Sequence, residues 1–349
     1  MKILVVASNM VHIKNFHLPY IEAFRNDGHN VYVMASGQGA DFEIPFKKRS
    51  LSLKNLILSR KIKKIIKRES FDIIYVHTTL AAFWLRFALK GVKNRPIVVN
   101  TVHGYLFGDG FGKLHNKLYL MCEKILKKQT DHIVVMNQED EEIARKNNLC
   151  LGKIYKIDGM GVDFNKKKIE VSSPSLPPKK LIYVGEISKR KNQMLLVKSL
   201  RRLPYKTLTL VGDGKERKSI EKYIKKHHME ERVHITGFTK NVGEYLKNAD
   251  LYVSASRVEG LPFNIIEALA SGLNIVASDI KGQRDILPSE ALYSLENEDD
   301  FIALVNNPPL YQIDAGIYSL DRVFDANMRL YYECAEGAHI LKKEFANRA

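Results

Sequence analysis

The sequence predicts an α/β protein built from two doubly wound domains. Its 349 residues are about twice the length of a typical domain. Short apolar runs rich in β-branched residues alternate with longer amphipathic segments, and the alternation restarts after a Ser/Pro-rich break. Runs that are apolar on both faces are typical of strands buried in a parallel sheet, and regular alternation with helices places the helices on both faces of that sheet.

The first domain is predicted over residues 1–168. Residues 1–10 are expected to hold its first buried strand and not a signal peptide. The predicted strands span 2–7, 30–35, 72–77, 97–101, 132–136 and 153–157. The predicted helices span about 15–27, 53–69, 79–90, 113–129 and 139–147.

Residues 169–179 are predicted to be a linker, because Ser and Pro concentrate there. The second domain is predicted over 180–320, with strands at 180–185, 207–212, 232–236, 250–254 and 274–278. Its helices are expected near 192–203, 215–228, 242–248 and 263–271. Residues 321–349 are predicted to form a helical segment that returns to the first domain.

Composition excludes several classes of protein. The chain is 45% hydrophobic and 27% charged, which is ordinary globular usage and excludes a disordered or low-complexity chain. Three cysteines without a CxxC pair indicate neither a disulfide framework nor a zinc or redox centre. No stretch reaches 18 apolar residues, so no membrane span is predicted and a cytoplasmic protein is expected.

The net charge of +16 lies mostly in the first half, where residues 1–168 hold 29 cations and 15 anions. Lys47–Arg68 carries ten cations and no anion, inside an amphipathic helix pattern that residues 113–128 repeat more weakly. This predicts contact with an anionic membrane surface, while a solvated cationic helix face stays an open alternative. A basic strand interleaved with aromatic residues is lacking, so no nucleic-acid partner is predicted.

The loop after the first strand contains His12 and His17 but no GxGxxG, which argues against a nicotinamide or flavin enzyme. Their i, i+5 spacing is poor for two metal ligands on one helix. The two histidines are predicted either as capping or surface residues or as contacts to a substrate.

The second domain has loops suited to an anion. Gly185 ends a strand, and Lys189, Arg190 and Lys191 follow at the start of a helix, where amides and the helix dipole favour negative charge. Gly212 ends the next strand. A plain strand-to-helix turn is the alternative in each case.

Residues 259–272 carry the strongest local signal. Pro262 and Gly272 suit the start and end of a helix of about three turns, whose first amides, at Phe263, Asn264 and Ile265, could receive a phosphate oxygen. Glu259 precedes the helix and Glu267 lies one turn inside it. Carboxylates on either side of a phosphate can accept hydrogen bonds from hydroxyls, which is the layout of a sugar nucleotide; surface carboxylates are the alternative.

These residues resemble glycosyltransferase family 4, which has the GT-B fold of two Rossmann-like domains facing a central cleft. The matching segments are VGEISKRKNQ (184–193), LVGDGKER (210–217), RVHITGF (232–238), ADLYVSASRVEGLPFNIIEALASG (249–272) and ASDIKGQRDIL (277–287). In the first half HIKNFHLPYIEAF (12–24) and NTVHGYLF (100–107) are similar to enzymes of bacterial capsule and exopolysaccharide synthesis.

The resemblance implies a retaining transfer of a sugar without a metal ion or cofactor. It implies catalytic roles for Glu259, His103 and Lys191: Glu259 and His103 contact the donor sugar, and Lys191 the diphosphate. Glu267 would bind the ribose, and the backbone of Gly237 and Phe238 would face the base. The expected donor site also includes Gly185, Arg190, Gly212, Gly260, Leu261, Pro262, Phe263 and Asn264, while His12 and His17 would lie on the acceptor side.

Family members usually have Arg where this chain has Glu186, and Arg190 is a candidate to replace it. The implied partners are a nucleotide-sugar donor, expected to be UDP-linked, and a lipid-linked glycan acceptor. Membrane docking through Lys47–Arg68 would place the enzyme at the inner face of the plasma membrane. The alternatives are a nucleotide-sugar 2-epimerase, or transfer to lipopolysaccharide or teichoic acid.

Overall fold

The chain folds into two units, each built on its own parallel sheet. The computed structural model describes residues 1–46, 53–167, 169 and 174–346. Unit 1 comprises Met1–Met160 and Val323–Ala349, and unit 2 comprises Gly161–Arg322. The division therefore falls ahead of residue 168, where the sequence predicts the first domain to end. Part of the predicted linker, 170–173, and part of the basic segment, 47–52, lie outside the described residues.

Unit 1 is built on a seven-stranded parallel sheet with the order β3-β2-β1-β4-β5-β6-β7. Its strands are β1 (Lys2–Val6), β2 (Asn30–Ala35), β3 (Phe42–Glu43), β4 (Ile73–His77), β5 (Ile97–Thr101), β6 (His132–Val135) and β7 (Ile154–Lys156). Its helices are α1 (Met10–Phe16), α2 (Leu18–Asn26), α3 (Leu53–Glu69), α4 (Thr79–Ala88), α5 (Lys113–Leu126) and α6 (Gln138–Lys146).

Unit 2 holds a six-stranded parallel sheet with the order β10-β9-β8-β11-β12-β13. Its strands are β8 (Lys180–Val184), β9 (Thr207–Val211), β10 (Val233–Gly237), β11 (Leu251–Ser254), β12 (Ile275–Ser278) and β13 (Leu292–Tyr293). Its helices are α7 (Phe164–Lys167), α8 (Gln193–Ser199), α9 (Arg217–Lys226), α10 (Val242–Lys247), α11 (Phe263–Ala270) and α12 (Glu298–Asn306), and the long α13 (Leu320–Ala346) follows.

The predicted fold class is confirmed, and most predicted strands match within one or two residues. The two-residue strands β3 and β13 were not predicted, because each is too short to show periodicity. The helix predicted over 15–27 is wrong in its start: α1 begins at Met10 and breaks at His17, and α2 follows with Pro19 in its first turn. Helix α11 has eight residues, so the predicted length of three turns is also wrong.

Part of the predicted linker is held against unit 2. The Asp250 carboxylate accepts hydrogen bonds from the backbone amides of Ser175, Lys179 and Lys180 at 2.8–3.0 Å. These bonds hold the pKa of Asp250 below its usual value despite its partial burial, which alone would raise it. The segment just before β8 is therefore fixed by one carboxylate at the start of β11.

Helix α13 packs on unit 1, as its predicted return to the first domain requires. Asn327 Nδ2 donates to Tyr20 Oη and to the Gly159 carbonyl oxygen, both at 2.9 Å. Tyr75 Oη donates to the Tyr331 carbonyl oxygen at 2.8 Å. The rings of Tyr75 and Tyr331 also lie 4.7 Å apart. These contacts join the end of the chain to β4 and α2.

In each sheet the first three strands are added toward one edge and the later strands toward the other edge. The boundary between the two sets is the topological switch point of the sheet. In unit 1 this point lies between β1 and β4, and in unit 2 between β8 and β11. Loops leaving the carboxyl ends of such strand pairs diverge and form a crevice that commonly binds a ligand. The fold therefore predicts two candidate ligand-binding sites, one at the switch point of each unit.

The described helices include none with the length and apolar character that crossing a bilayer requires.

Arg86 and Glu123 form a buried bidentate ion pair between α4 and α5, at 2.7 and 2.9 Å. Replacing Arg86 by Met leaves a buried carboxylate without its counter-charge. We expect Arg86→Met to lower the free energy of unfolding by about 3–5 kcal/mol in urea denaturation. The double variant Arg86→Met/Glu123→Leu should recover most of that loss.

A matched control is the exposed pair of Arg145 and Glu141, whose disruption by Arg145→Met should cost less than about 1 kcal/mol. If Arg86→Met and Arg145→Met lowered the free energy of unfolding equally, the buried pair would not be more important for stability than the exposed pair.

Candidate active site

The switch point of unit 2 brings together two loops that are far apart in the sequence. The loop after β8 carries Gly185, Arg190 and Lys191, and the loop after β11 carries Glu259 and leads into α11. Because β8 and β11 are adjacent and parallel, both loops leave the same edge of the sheet. Residues 68 and 69 positions apart in the chain thus come into direct contact.

Glu259 lies between two cations. Lys191 Nζ donates to Glu259 Oε1 at 2.5 Å, and Arg190 Nη1 donates to Oε2 at 3.0 Å. Arg190 also donates to the Val258 carbonyl oxygen at 2.9 Å. Glu259 and Lys191 are buried, whereas the Arg190 side chain is partly exposed. Three residues predicted for the donor site therefore form one cluster, with two positive charges against one negative charge.

The electrostatics keep Glu259 ionised. Burial acts to raise the pKa of Glu259, but the charges of Lys191 and Arg190 outweigh burial and hold that pKa below its usual value. For Lys191, burial lowers the pKa, and the charge of Glu259 offsets this only in part. A further anion placed near Lys191 would favour its charged form, so the site is suited to a ligand that carries negative charge.

The glycines after β8 and β9 pack backbone against backbone. Gly212 has φ +146°, and a Cβ at this position would lie 2.0 Å from the Gly185 carbonyl oxygen. Gly185 itself has φ +144°. The sequence alone left open whether these glycines form a plain turn or allow a ligand to approach. The structure shows that the close neighbour of Gly212 is the adjoining loop.

The start of α11 is used differently from the prediction. The Ile265 amide donates to the Pro262 carbonyl oxygen at 3.0 Å, so the prediction that it is free for a phosphate is wrong. Asn264 Nδ2 donates to the Val184 carbonyl oxygen at 2.9 Å and to Tyr252 Oη at 2.6 Å. These two bonds fix the start of α11 to the carboxyl end of β8 and to the Tyr252 side chain of β11.

The remaining predicted donor residues lie along the same sheet edge of unit 2. Glu267 is buried in α11, and Leu261 and Gly260 are buried in the loop before it. Gly237 ends β10 with φ +77°, and the Phe238 side chain after it is 81% exposed. A ring so exposed is available to stack on a planar ligand. The structure does not bring Phe238 into the cluster around Glu259.

Four histidines form a second cluster at the switch point of unit 1. His12 lies in α1 after β1, His17 lies at the break between α1 and α2, His77 ends β4, and His103 follows β5. The rings of His12 and His17 lie 5.0 Å apart, and those of His17 and His77 lie 3.8 Å apart. A ring nitrogen of His103 lies 3.3 Å from one of His77.

Burial favours the neutral form of all four histidines. Burial lowers the pKa of His12 to about 4. For His17, His77 and His103, burial and the neighbouring imidazoles lower the pKa well below 6.5. Within the part of the chain that the structure describes, Nε2 of His12 and Nε2 of His17 are buried without a hydrogen-bond partner.

His12, His17 and His103 are the described residues that could hold a metal ion, since one nitrogen of each lies within 4.8 Å of the others. The two histidines of the first loop thus have adjacent rings although they are five positions apart, and His17 lies where α1 ends and α2 follows.

Sequence reasoning missed His77 and Tyr252. Both lie in apolar strands and were interpreted only as sheet residues. His77 contacts two predicted site histidines, and Tyr252 Oη contacts both Asn264 and Val184. A histidine at the last position of a buried strand, beside the switch point, was the available signal for His77.

Comparison with known proteins identifies the class to which this fold and site belong. The model described as "Glycosyltransferase Family 4" matches residues 20–157, and the model "Glycosyl transferases group 1" matches residues 165–306. "Putative glycosyltransferase EpsD" of Bacillus subtilis (strain 168) is 30% identical over 309 residues, which cover 82% of this chain and 81% of EpsD. The chain therefore belongs to this glycosyltransferase family and is a glycosyltransferase, as the sequence predicts.

A second relative and two solved structures extend the comparison. A UDP-Gal:alpha-D-GlcNAc-diphosphoundecaprenol alpha-1,3-galactosyltransferase of Escherichia coli is 27% identical over 81% of this chain and 74% of its own length. The lipopolysaccharide galactosyltransferase WaaB matches with a TM-score of 0.67 at 19% identity, covering 97% of this chain and all of WaaB. HepE from Anabaena with UDP-glucose matches at 0.67 and 18%, covering 98% of this chain and all of HepE. These neighbours confirm the GT-B fold.

Gly212→Ala is expected to destabilise unit 2 strongly, because the added methyl group meets the Gly185 carbonyl oxygen. The control is Gly28→Ala, which has φ +81° and open space around the added Cβ. Backbone strain alone should cost the control about 1–2 kcal/mol. The Gly212 variant should lose about 1–3 kcal/mol more in urea denaturation. Equal losses would contradict the backbone contact.

The histidine cluster predicts a pH-dependent stability. Because the folded pKa values are lowered, the unfolded chain takes up protons first, and stability is lost as pH falls below about 6.5. Each buried histidine should cost about 1.4 kcal/mol per pH unit in that range. Thermal unfolding in EDTA between pH 7.5 and 5.5 should show this, with a smaller slope for His17→Gln. The exposed His234→Gln is the control, and an unchanged slope in the His17 variant would contradict the assignment.

Proposed function

We propose that this glycosyltransferase is a retaining, metal-independent hexosyltransferase that uses a UDP-linked sugar. Its acceptor is a hydroxyl of a lipid-linked glycan in capsule or exopolysaccharide synthesis at the inner face of the plasma membrane. The single observation that carries the proposal is the buried cluster of Glu259, Lys191 and Arg190 at the switch point of unit 2. Its net positive charge and its carboxylate suit a ligand with both phosphates and hydroxyls.

The cluster changes partners when the donor binds. In the structure Lys191 and Arg190 both contact Glu259. We propose that the donor diphosphate attracts Lys191, and that Glu259 then accepts hydrogen bonds from hydroxyls of the donor sugar. Arg190 would supply the second cation, in place of the arginine that the family usually has at the position of Glu186. Glu267 would accept from the ribose hydroxyls, and Phe238 would face the base.

The proposed step breaks the bond between the anomeric carbon and the diphosphate oxygen. The acceptor oxygen forms a new bond to that carbon on the same face, and its proton passes to the leaving phosphate. Negative charge grows on the leaving diphosphate, so Lys191 and Arg190 stabilise the transition state more than the ground state. These cations provide the charge neutralisation for which other transferases use a metal ion.

The names of relatives support the substrate classes. The Escherichia coli relative is named for a UDP-galactose donor and a diphosphoundecaprenol acceptor, and HepE was solved with UDP-glucose. The amylovoran enzyme AmsD of Erwinia amylovora is a further relative, 27% identical over 222 residues. Others are named for O-antigen synthesis, which favours a lipopolysaccharide glycan as the second candidate acceptor. The acceptor-side roles of His12 and His17 and the catalytic role of His103 stay predictions.

Lys191→Met should abolish the rise in melting temperature that UDP-sugars produce, since the diphosphate loses its buried cation. Glu267→Gln should weaken donor binding by about 10- to 100-fold, as expected for a lost charged hydrogen bond of about 1.5–3 kcal/mol. Titration calorimetry and thermal shift measure both effects. Lys198→Met, an exposed lysine in α8, is the control.

An unchanged shift in the Lys191 variant, with its fold verified by circular dichroism, would refute the donor site. Turnover should continue in EDTA, and the product should keep the anomeric configuration of the donor by NMR. UDP should be released when an acceptor is supplied, whereas conversion of the UDP-sugar into its C2 epimer without any acceptor would instead favour the epimerase alternative.

A further inference from the structure

Helix α5 presents an unusual outer surface. From Lys113 to Lys128 every exposed side chain is either a large apolar residue or a lysine. The apolar residues are Leu114, Leu118, Met121 and Ile125, with exposed fractions of 82%, 47%, 49% and 50%. We call these four residues the α5 stripe. Their spacings of four, three and four positions place them on one face of the helix.

The stripe is not the face that packs on unit 1. The opposite side of α5 contributes Glu123, which pairs with Arg86, and Leu126, which is buried. Tyr119 and Leu120 pack against the apolar cluster around Val102 and Ile133. One face of α5 therefore packs on the core of unit 1, and the α5 stripe is a second apolar face that is exposed. A contiguous exposed apolar surface of this kind commonly marks a site of interaction with a protein, a membrane or a ligand.

The charges beside the stripe identify the occupant. The exposed lysines Lys113, Lys117, Lys124 and Lys128 form a row next to it. Glu123, the acidic residue of α5, is buried and forms an ion pair with Arg86. The charged side chains on the outer surface of α5 are therefore all positive. An apolar face flanked by lysines is the pattern of a helix that lies in the interface of an anionic bilayer. A second copy of the chain would bring two rows of lysines together.

We infer that α5 docks the protein on an anionic lipid surface, with the α5 stripe among the acyl chains and the lysine row at the headgroups. This deepens the proposed function, because it gives the enzyme access to a lipid-linked acceptor. It differs from docking through the basic segment alone. The apolar residues Ile62, Ile65 and Ile66 of α3 are buried in the core, which leaves that helix a mainly cationic outer face.

The position of α5 fits this role. Its amino end follows the loop that leaves β5 and carries His103. Ring stacking of Phe111 on His115 and of His115 on Tyr119, at 4.9 and 4.3 Å, holds this end in place. The docking surface therefore lies on the helix that follows the loop carrying His103, which is one of the four clustered histidines.

Sedimentation with vesicles of phosphatidylglycerol and phosphatidylethanolamine tests the inference. The variant Leu114→Gln/Leu118→Gln/Met121→Gln/Ile125→Gln should lose at least tenfold in partition to these vesicles. Tyr205→Gln/Leu310→Gln is the matched control, because it removes two exposed apolar side chains of unit 2 and should bind as the native chain does. Native binding to pure phosphatidylcholine should be much weaker.

A second measurement reports insertion directly. The sequence has one tryptophan, Trp84, and it is buried. A Leu118→Trp variant should therefore show fluorescence quenching by brominated lipids beyond the Trp84 background, whereas Leu310→Trp should not.

Three outcomes would overturn the inference. They are unchanged vesicle binding by the four-residue variant, loss of binding only on Lys61→Gln/Lys64→Gln/Lys67→Gln, and a native dimer that the four-residue variant abolishes. The proposed function is tested apart from it, since the variant should keep the UDP-sugar thermal shift and transfer to a water-soluble acceptor. If the native chain bound vesicles but showed neither the UDP-sugar thermal shift nor sugar transfer, the proposed function would be refuted and the docking inference would stand.

Discussion

A buried carboxylate must have positive partners, and the site in unit 2 is organised around that requirement. Glu259 lies in the interior with Lys191 and Arg190 as its partners. Removing Glu259 would leave Lys191 buried without its anion, and removing Lys191 would leave Glu259 with only the partly exposed Arg190 as its counter-charge. The loops after β8 and β11 must therefore stay in register, and the hydrogen bond from Asn264 Nδ2 to the Val184 carbonyl oxygen helps to hold them there.

The same cluster explains how one site can serve both stability and chemistry. The cations that hold Glu259 are the ones that we propose a donor diphosphate attracts. In that proposal, donor binding gives Lys191 one anionic partner in place of another. A site of this kind is preorganised for charge that grows on a leaving group, which is the main electrostatic source of rate acceleration in enzymes.

The switch point of unit 1 holds a cluster of histidines, whereas that of unit 2 holds an ion-pair cluster. Burial favours the neutral form of the four histidines of unit 1, which pack against one another, so they can donate or accept hydrogen bonds without the cost of a buried charge. The structure of α5, with one face in the core and the other apolar and cationic, adds a surface to the same unit. Both features follow from loops and a helix that begin at the carboxyl edge of the sheet.

Much of the fold was predictable because its signals are local. Buried parallel strands show β-branched runs, and the helices between them show apolar periodicity, so the strands and the sites after them could be located from the sequence. The family motifs likewise singled out Glu259 and Lys191, which the structure brings into contact, while the donor-binding role of Glu267 stays a prediction. Elements of two residues, such as β3 and β13, carry too little pattern to be found.

What the tertiary structure alone decided is which distant groups meet. The sequence assigned Lys191 and Glu259 to separate parts of a ligand, and only the adjacency of β8 and β11 shows that they pair with each other. It placed His12 and His17 five positions apart, a spacing that is poor for two ligands on one helix, and only the structure shows that their rings lie together beside His77. Periodicity reports which side of a helix is apolar, but not whether the core has already covered that side. The exposure of the α5 stripe is therefore a property of the tertiary structure, in which the opposite face of the helix packs on the core.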